Sequence, residues 1–262
     1  YMRHLVIRDG KRTGDVMVNL VTSSDQPEAM TNMSGLLCKH FPQITTIVNN
    51  ITSRRSMVAR GELEKVYHGP GFITEKLGEF TYRLSANSFF QTNTVQAERL
   101  YETVRTLAGL RPQDVVYDLY CGTGTIAIYL SPHVERVVGI ELVESSIEDA
   151  RRNAESNRVA NCYFLQGDLK ERLTTDSKWI GEHPRPTVVV TDPPRSGMHA
   201  KVVEQIAKLE PERIVYVSCN PSTQARDGKL LAEAGYLLKA VQPVDMFPHT
   251  DHIEAVAVFI RK

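Results

Sequence analysis

The sequence predicts an α/β protein: a Rossmann-like, doubly wound and mostly parallel seven-stranded sheet, preceded by a smaller α+β domain. Two observations support this prediction. From Asp114 onward, short apolar runs alternate with helical patterns, which is typical of a parallel sheet with helices on both faces. Before residue 86, strand patterns follow one another through glycine-containing turns, as in antiparallel sheets. We therefore expect two domains, 1–85 and 86–262.

The larger domain contains seven predicted strands and a series of helices. A helix with apolar positions between Val95 and Leu107 is expected to end at Gly109. The predicted strands are 115–119, 137–141, 163–166, 188–191, 214–218, 236–240 and 255–260, and the helices after Asp114 lie near 125–131, 144–157, 200–209 and 222–234. In such sheets, ligands bind beyond the carboxyl ends of the strands, so polar residues at those ends are the candidate site.

The smaller domain begins with a hairpin pattern, in which His4–Arg8 and Asp15–Val21 flank glycine turns. A helical stretch around Ala29–Phe41 follows, and the whole is expected to form an antiparallel sheet with a helix. A basic cluster could contact phosphate groups, although such clusters are more often solvated loops. Its members are Arg54, Arg55, Arg60, Lys65 and His68.

The composition is that of a globular protein without a membrane segment. Lysine plus arginine and aspartate plus glutamate each number 31 in the 262 residues, so the total charge neither indicates nor excludes nucleic-acid binding. Four dispersed cysteines favour a reducing, cytoplasmic location over a disulfide framework. Because the chain opens on Tyr1 rather than on methionine, we expect it to be part of a longer protein.

The central motif is an apolar strand, a glycine-rich turn and a helix, at Val115–Ile128. Gly122 and Gly124 allow the backbone to turn sharply and to approach a ligand. The next strand ends in Glu141, which lies 23 positions after Asp118, about where a nucleotide-binding fold places the acceptor for ribose hydroxyls. The motif indicates a cofactor site, and the alternative is a tight connection with a surface glutamate.

Polar residues stand at the carboxyl ends of five predicted strands, at the edge where a ligand is expected. They are Asp118, Glu141, Asp168, Asp192 and Cys219. Asp192 precedes two prolines, which stiffen the turn; a carboxylate held there could bind the polar edge of a heterocycle, or it could cap a helix. Gln91 lies where the smaller domain meets the larger one, a preferred place for ligands, whereas Phe89 and Phe90 are expected in the core.

Cys219 is a candidate nucleophile because it falls where its strand leaves the core. A helix beginning near Ser222 would favour the thiolate through its positive end. Farther along, two histidines and two acidic residues precede the last strand: His249, Asp251, His252 and Glu254. They lie in a loop with Pro248 and lack regular spacing, so no metal site is predicted.

Five motifs together resemble those of the RNA uracil-5 methyltransferase family, which makes 5-methyluridine in ribosomal or transfer RNA with S-adenosylmethionine. The resemblance covers residues 80–262. The motifs are Phe89–Asn93, Asp118–Gly124, Asp192–Gly197, Ser218–Pro221 and His252–Glu254. The resemblance implies that residues 1–85 form a central domain that helps bind RNA and that residues 86–262 form a methyltransferase domain. Bacterial members commonly carry an oligonucleotide-binding barrel, and many carry four cysteines that bind an iron–sulfur cluster. Neither the barrel nor the cluster motif is found in this sequence, so the resemblance implies a catalytic fragment.

The resemblance also implies roles for individual residues. Cys219 is the expected nucleophile that adds to carbon 6 of uracil, and Glu254 is the expected base that removes the carbon-5 proton. The expected cofactor residues are Gln91, Tyr120, Thr125, Glu141, Asp168 and Asp192. Threonines stand at 123 and 125 where relatives often have asparagine, so Thr125 departs from the family pattern whereas Glu141 matches it.

The predicted function is methyl transfer to a uridine of RNA, with ribosomal RNA favoured over transfer RNA, by a monomer. Two alternatives stay open at this point. Methylation of a base amino group could use Asp192 but would leave Cys219 without a role. An RNA-binding or assembly factor could keep the fold without catalysis, and the sequence speaks against it only through the intact Cys219 and Glu254.

Overall fold

The computed structural model describes residues 1–53, 61–174 and 182–262, which form two compact units, Tyr1–Phe90 and Gln91–Lys262. Three members of the basic cluster, Arg54, Arg55 and Arg60, lie outside the described residues. Within the described ranges, no helix is both long enough and apolar enough to cross a membrane.

The first unit contains a four-stranded sheet in the order β1-β2-β3-β4 and a separate hairpin, β5-β6. One helix, α1, packs on the larger sheet through a core that includes Val18, Leu20, Met30 and Ile47. The elements are β1 (Met2–Asp9), β2 (Val16–Thr22), α1 (Pro27–His40), β3 (Thr46–Ile51), β4 (Leu63–His68), β5 (Phe72–Leu77) and β6 (Phe80–Ser85).

The expectation of a purely antiparallel sheet is wrong for this unit. Strands β1 and β2 are antiparallel, as are β3 and β4, but β2 and β3 are parallel. The connection from β2 to β3 contains α1. This helix returns the chain to the end of the sheet where β2 begins, so β3 runs parallel to β2. The unit is therefore a mixed α+β sheet.

The second unit confirms the predicted doubly wound fold. Its seven strands lie in the order β12-β13-β11-β10-β7-β8-β9, and β13 runs antiparallel to both of its neighbours. Its strands are β7 (Val115–Leu119), β8 (Arg136–Glu141), β9 (Cys162–Gln166), β10 (Val188–Thr191), β11 (Arg213–Ser218), β12 (Tyr236–Val244) and β13 (Glu254–Arg261). Its helices are α2 (Thr94–Ala108), α3 (Thr125–Leu130), α4 (Glu144–Ser156), α5 (Leu169–Arg172), α6 (Ala200–Leu209) and α7 (Pro221–Glu233).

Both ends of α2 are set by residues next to the helix in the sequence. The Asn93 side chain caps the helix by accepting a hydrogen bond from the Gln96 backbone N–H at 3.2 Å, and the helix ends at Gly109 in the left-handed conformation, with φ of 55°. The expectation for one neighbouring aromatic is wrong, because Phe89 is 61% exposed rather than buried in the core. Phe90 contacts Tyr82, with ring centroids 6.0 Å apart.

The strand order reverses between β7 and β10, which are parallel neighbours although β8, β9 and several helices lie between them in sequence. From β7 the chain winds outward to β8 and β9, and it then returns to β10 and β11 on the other side. Such a reversal opens a crevice at the carboxyl ends of the two central strands. The polar candidates at or just after the carboxyl ends of β7, β8, β9, β10 and β11 all lie at this edge.

Candidate active site

Asp118 lies inside the last part of β7 and is fully buried. Its Oδ2 accepts a hydrogen bond from the Ala127 backbone N–H at 3.0 Å, which ties the strand to α3. Its Oδ1 has no hydrogen-bond partner among the described residues. Burial, followed by the charge of Asp192, raises the pKa of Asp118 well above its usual range.

The turn after β7 has an unusual backbone. Tyr120 adopts a positive φ of 62°, which is uncommon for a residue other than glycine and is found disproportionately at functional sites. Gly122 has φ of 52°, and no atom lies within 4 Å of where a Cβ would stand, so this side of the turn faces open space. At Gly124 a Cβ would lie 2.8 Å from the Phe164 ring, so close packing requires glycine there.

Glu141, the last residue of β8, is joined to this turn. Its Oε2 accepts a hydrogen bond from the Gly122 backbone N–H at 3.3 Å, and its Oε1 accepts one from the Val143 backbone N–H at 2.9 Å. These contacts fix the carboxylate beside the open face of the glycine turn. A carboxylate in this place can accept hydrogen bonds from the hydroxyls of a ribose.

Two further predicted residues have local partners that hold them in place. The Thr125 Oγ1 and the Tyr101 hydroxyl form a hydrogen bond of 2.9 Å at the start of α3. Asp168 caps α5: its Oδ1 accepts a hydrogen bond from the Lys170 backbone N–H at 2.9 Å, and the Lys170 Nζ lies 3.1 Å from Oδ2. These contacts, the backbone one first, lower the pKa of Asp168, which is therefore ionised. Gln91, the first residue of the second unit, is buried.

The Asp192 loop is a stiff connection between β10 and α6 with strong anchors. Its start is held by the Asp192 backbone N–H, which donates to the Leu119 carbonyl at 3.3 Å. Its end is held by the Met198 backbone N–H, which donates to Asp227 Oδ2 at 2.7 Å. The cap of α6 is His199 rather than Asp192, so the helix-cap alternative does not hold. Burial, followed by the charge of Glu254, raises the pKa of the Asp192 carboxyl to about 7.

Cys219 and Glu254 are brought together by the pairing of β11 with β13. In this antiparallel pair the last registered partners are Ser218 and Ala255, and one further step places Cys219 opposite Glu254. The chain bends at Cys219, directly after β11, and Glu254 is the first residue of β13. The sequence separates them by 35 positions, so only the sheet creates this pair.

The electrostatics of this pair differ from one sequence expectation. Burial, followed by the charge of Glu254, raises the pKa of the Cys219 thiol, which is opposite to the lowering expected from the start of the following helix. Asn220, the residue between Cys219 and α7, uses its own Oδ1 to accept from the Ser222 backbone N–H. Glu254 is only 4% exposed, and burial raises its pKa to about 7. The site therefore pairs a neutral thiol with a carboxyl that titrates near neutrality.

Comparison with known proteins identifies the family. The sequence model described as tRNA (uracil-5-)-methyltransferase matches residues 43–262, which is most of the chain.

The chain belongs to this family.

Relatives match over the same range. An uncharacterized RNA methyltransferase of Chlorobaculum tepidum is 50% identical over 262 residues, covering 100% of this chain and 54% of the relative. One of Porphyromonas gingivalis is 44% identical over 261 residues, covering 99% of this chain and 56% of the relative. The chain thus spans about half the length of these curated relatives.

Solved structures support the fold. The tRNA (uracil-54, C5)-methyltransferase of Pyrococcus abyssi, in complex with S-adenosyl-L-homocysteine, superposes with a TM-score of 0.81 at 35% identity, covering 99% of this chain and 60% of that one. Trm5b of the same organism, at 12% identity, a TM-score of 0.63 and coverage of 98% of this chain and 74% of that one, shares the fold alone.

Within this uracil-5 methyltransferase family member, the structure adds residues that the sequence reasoning missed. Arg195 donates from its guanidinium to His252 Nδ1 across 3.1 Å, and its backbone carbonyl accepts from Asn220 Nδ2 at 3.2 Å. Its charge counteracts the rise of the pKa of both Cys219 and Glu254. The signal in the sequence was its place in the Asp192–Gly197 motif.

The histidines before β13 have other partners. His252 contacts Arg195 and packs edge-on against Phe247, with ring centroids 6.4 Å apart. His249 adopts a positive φ of 70° in the turn. Across the described parts of the chain, no group of three or more histidine, cysteine, aspartate or glutamate side chains is arranged to hold a metal ion.

Proposed function

We propose that this chain transfers a methyl group from S-adenosylmethionine to carbon 5 of a uridine in RNA. The observation that carries the proposal is the register of β11 and β13, which sets Cys219 opposite Glu254 at the ligand-binding edge of the sheet. A thiol and a carboxyl that titrates near pH 7 are the two groups that addition to, and elimination from, a pyrimidine ring require.

The residues at the glycine turn fit a nucleoside-type cofactor. Asp118 Oδ1 and Thr123 Oγ1 are buried without hydrogen-bond partners among the described residues, and Gly122 faces open space beside Glu141. Unpartnered buried polar atoms next to an open cradle favour a ligand that supplies donors and acceptors. The residues proposed to hold it are Gln91, Tyr120, Thr125, Glu141, Asp168 and Asp192. When bound, the cofactor supplies an electrophilic methyl group on a sulfonium.

The proposed chemistry of Cys219 begins with transfer of the thiol proton to water, which reaches this partly exposed residue. The charges of Glu254 and Asp192 both raise the pKa of the thiol. The thiolate adds to carbon 6 of uracil, and the electron pair of the 5,6 double bond moves toward the carbonyl at carbon 4. The resulting enolate makes carbon 5 nucleophilic, which an unactivated uracil is not.

Glu254 completes the proposed sequence. After carbon 5 has gained its methyl group, the Glu254 carboxylate removes the remaining carbon-5 proton. The electrons of that C–H bond re-form the double bond between carbons 5 and 6, and the bond from carbon 6 to sulfur breaks, which returns the thiolate. A base with a pKa near the working pH is efficient at this step because about half of it is ionised and it still holds a proton well.

The RNA class is part of the proposal. From the family resemblance we favoured ribosomal RNA, whereas the matching family description and the P. abyssi enzyme both name transfer RNA. Both RNAs are therefore substrates in the test.

The deciding experiment incubates the protein and S-adenosylmethionine with ribosomal and transfer RNA from a strain lacking the gene. Mass spectrometry of nucleosides should reveal 5-methyluridine in one RNA class with wild-type protein and none with Cys219→Ala. Methylation on a base amino group that survives Cys219→Ala would favour the amino-group alternative. RNA binding without any methylation would favour a non-catalytic RNA-binding protein.

A further inference from the structure

The start of α7 contains a buried side chain that binds both strands of the Cys219–Glu254 pair. Gln224 is 6% exposed. Its Nε2 donates to the Tyr216 carbonyl of β11 at 2.8 Å and to the Ala255 carbonyl of β13 at 3.0 Å. One amide nitrogen thus links β11, which ends just before Cys219, to β13, which begins at Glu254.

The two carbonyls bracket the pair along the chain. Tyr216 lies three residues before Cys219, and Ala255 lies one residue after Glu254. The registered pairing of β11 with β13 stops at Ser218 and Ala255, so Cys219 and Glu254 lie just beyond the last pair between these two strands. Glu254 is still paired with β12, whereas the chain bends at Cys219, beyond the end of β11. The end of β11 can therefore separate from β13, and the Gln224 contacts lie at the place where that would begin.

The helix that contains Gln224 is itself held in place by hydrogen bonds. Asn220 caps α7, and Asp227, one turn after Gln224, is fully buried and accepts hydrogen bonds from the Met198 backbone N–H and the Tyr216 hydroxyl, each at 2.7 Å. The helix is thereby held against the Asp192 loop and β11. A hydrogen-bond donor on such a fixed helix restrains the positions of the two carbonyl groups that it binds.

We propose that Gln224 is a positioning residue, which holds Cys219 and Glu254 at the separation needed for both to act on one pyrimidine ring. This inference rests on the proposed function. Gln224 is buried and its amide nitrogen is bonded to two backbone carbonyls, so it acts through the two backbones and not on the substrate. Its loss should affect the step that needs both groups together, the elimination, more than the addition that needs Cys219 alone.

The test compares Gln224→Met with Gln205→Met. Methionine keeps the length and approximate volume of glutamine but donates no hydrogen bond. Gln205 is a matched control because it is 5% exposed and donates one hydrogen bond to a backbone carbonyl, that of Lys170, at 2.8 Å. Both variants lose a buried amide, and only one loses the contacts to β11 and β13.

Two readouts separate positioning from stability. Release of tritium from RNA labelled at carbon 5 of uridine counts completed eliminations, and denaturing gels count RNA still bonded to protein. For Gln224→Met we expect tritium release to slow roughly 10- to 100-fold, with covalent RNA increased and KM for S-adenosylmethionine unchanged. For Gln205→Met, both readouts should follow the wild type once corrected for the folded fraction measured by thermal unfolding.

The inference is overturned if Gln224→Met slows release without raising the covalent fraction, or if both variants lose turnover in proportion to folded protein. If Gln224→Met does not fold, Gln224→Asn, which keeps the donor on a shorter side chain, should show a smaller split in the same direction, and equal loss in both readouts overturns the inference. Wild-type protein that neither releases tritium nor forms covalent RNA would instead overturn the proposed function itself.

Discussion

Cys219 and Glu254 occupy opposing positions one step beyond Ser218 and Ala255, the last registered partners of the antiparallel strands β11 and β13. The strand that ends at the thiol and the strand that begins at the carboxyl run in opposite directions, and for that reason both groups reach the same edge of the sheet. The carboxylates Asp118, Glu141, Asp168 and Asp192 stand instead at or just after the ends of strands that run parallel to one another. The two groups should consequently have separable roles.

Substitution of the two residues should block different steps. Cys219→Ala should abolish methyl transfer and form no covalent RNA, because no nucleophile is left to activate carbon 5. Glu254→Gln should still permit addition and methylation but stall elimination, leaving RNA bonded to protein on denaturing gels. RNA containing 5-fluorouridine should trap the same bond in the wild type, because fluorine cannot leave as a proton does. Turnover by Cys219→Ala, or no trapped RNA while the wild type methylates, would contradict the assignment.

The buried Glu254 carboxyl should make stability depend on pH in a predictable direction. Its pKa rises from 4.5 to about 7 on folding, so between these values the folded protein binds the extra proton and the free energy of unfolding falls as pH rises. Glu254→Gln, which cannot ionise, should therefore gain stability relative to the wild type at pH 8 but not at pH 4, by up to roughly 3 kcal/mol.

Urea unfolding of both proteins at pH 4 and pH 8 measures this difference. Glu155→Gln, at an exposed position of α4, is the control and should show little change at either pH. The same stability difference for Glu254→Gln at both pH values would show that the carboxyl titrates normally. In the catalytic reaction, the elimination rate should rise as pH increases through about 7, because only the carboxylate can accept the proton.

Cofactor affinity should depend on Glu141. Removing its carboxylate deletes an acceptor for ribose hydroxyls and releases the Gly122 and Val143 backbone N–H groups that it holds. Since hydrogen bonds to charged groups contribute about 1.5 to 3 kcal/mol, Glu141→Ala should weaken S-adenosylmethionine binding roughly 10- to 100-fold. Calorimetric titration provides the measurement, with Glu204→Ala on the exposed side of α6 as the control. Equal affinity for Glu141→Ala and wild type, or no binding by wild type, would refute the cofactor site.

RNA binding should be weak and strongly salt-dependent, with contributions from the basic cluster Arg54, Arg55, Arg60 and Lys65. Of these only Lys65 is described: it contacts Asp25 through its Nζ and is partly exposed. A protein that neutralises Z phosphates of a single strand loses affinity with a log–log salt slope of about −0.7Z.

Reversal of all four charges to glutamate should make that slope shallower in binding titrations at several salt concentrations. The control reverses four exposed lysines of the second unit: Lys201, Lys208, Lys229 and Lys239. If only the overall charge matters, both variants should behave alike. An unaltered slope in the cluster variant would make these residues ordinary solvated surface.

The sequence by itself determined the elements that local chemistry controls. Short runs of β-branched residues such as 188–191 favoured buried strands, and Gly109 ended α2 because a residue without a Cβ adopts the left-handed conformation at low cost. The same local reasoning predicted which residues follow the strands, since a polar side chain after an apolar run marks the point where the chain leaves the core.

Tertiary structure decided what depends on distant contacts. The parallel pairing of β2 and β3, the exposure of Phe89 and the raised pKa of Cys219 all departed from sequence expectation, because periodicity carries no information about strand partners or about distance from water. Gln224 gave no sequence signal, since the carbonyl it binds in β13 lies 31 residues away. Local patterns fix the conformation of each segment, whereas burial, charge and hydrogen-bond partners arise only when segments far apart in the chain pack together.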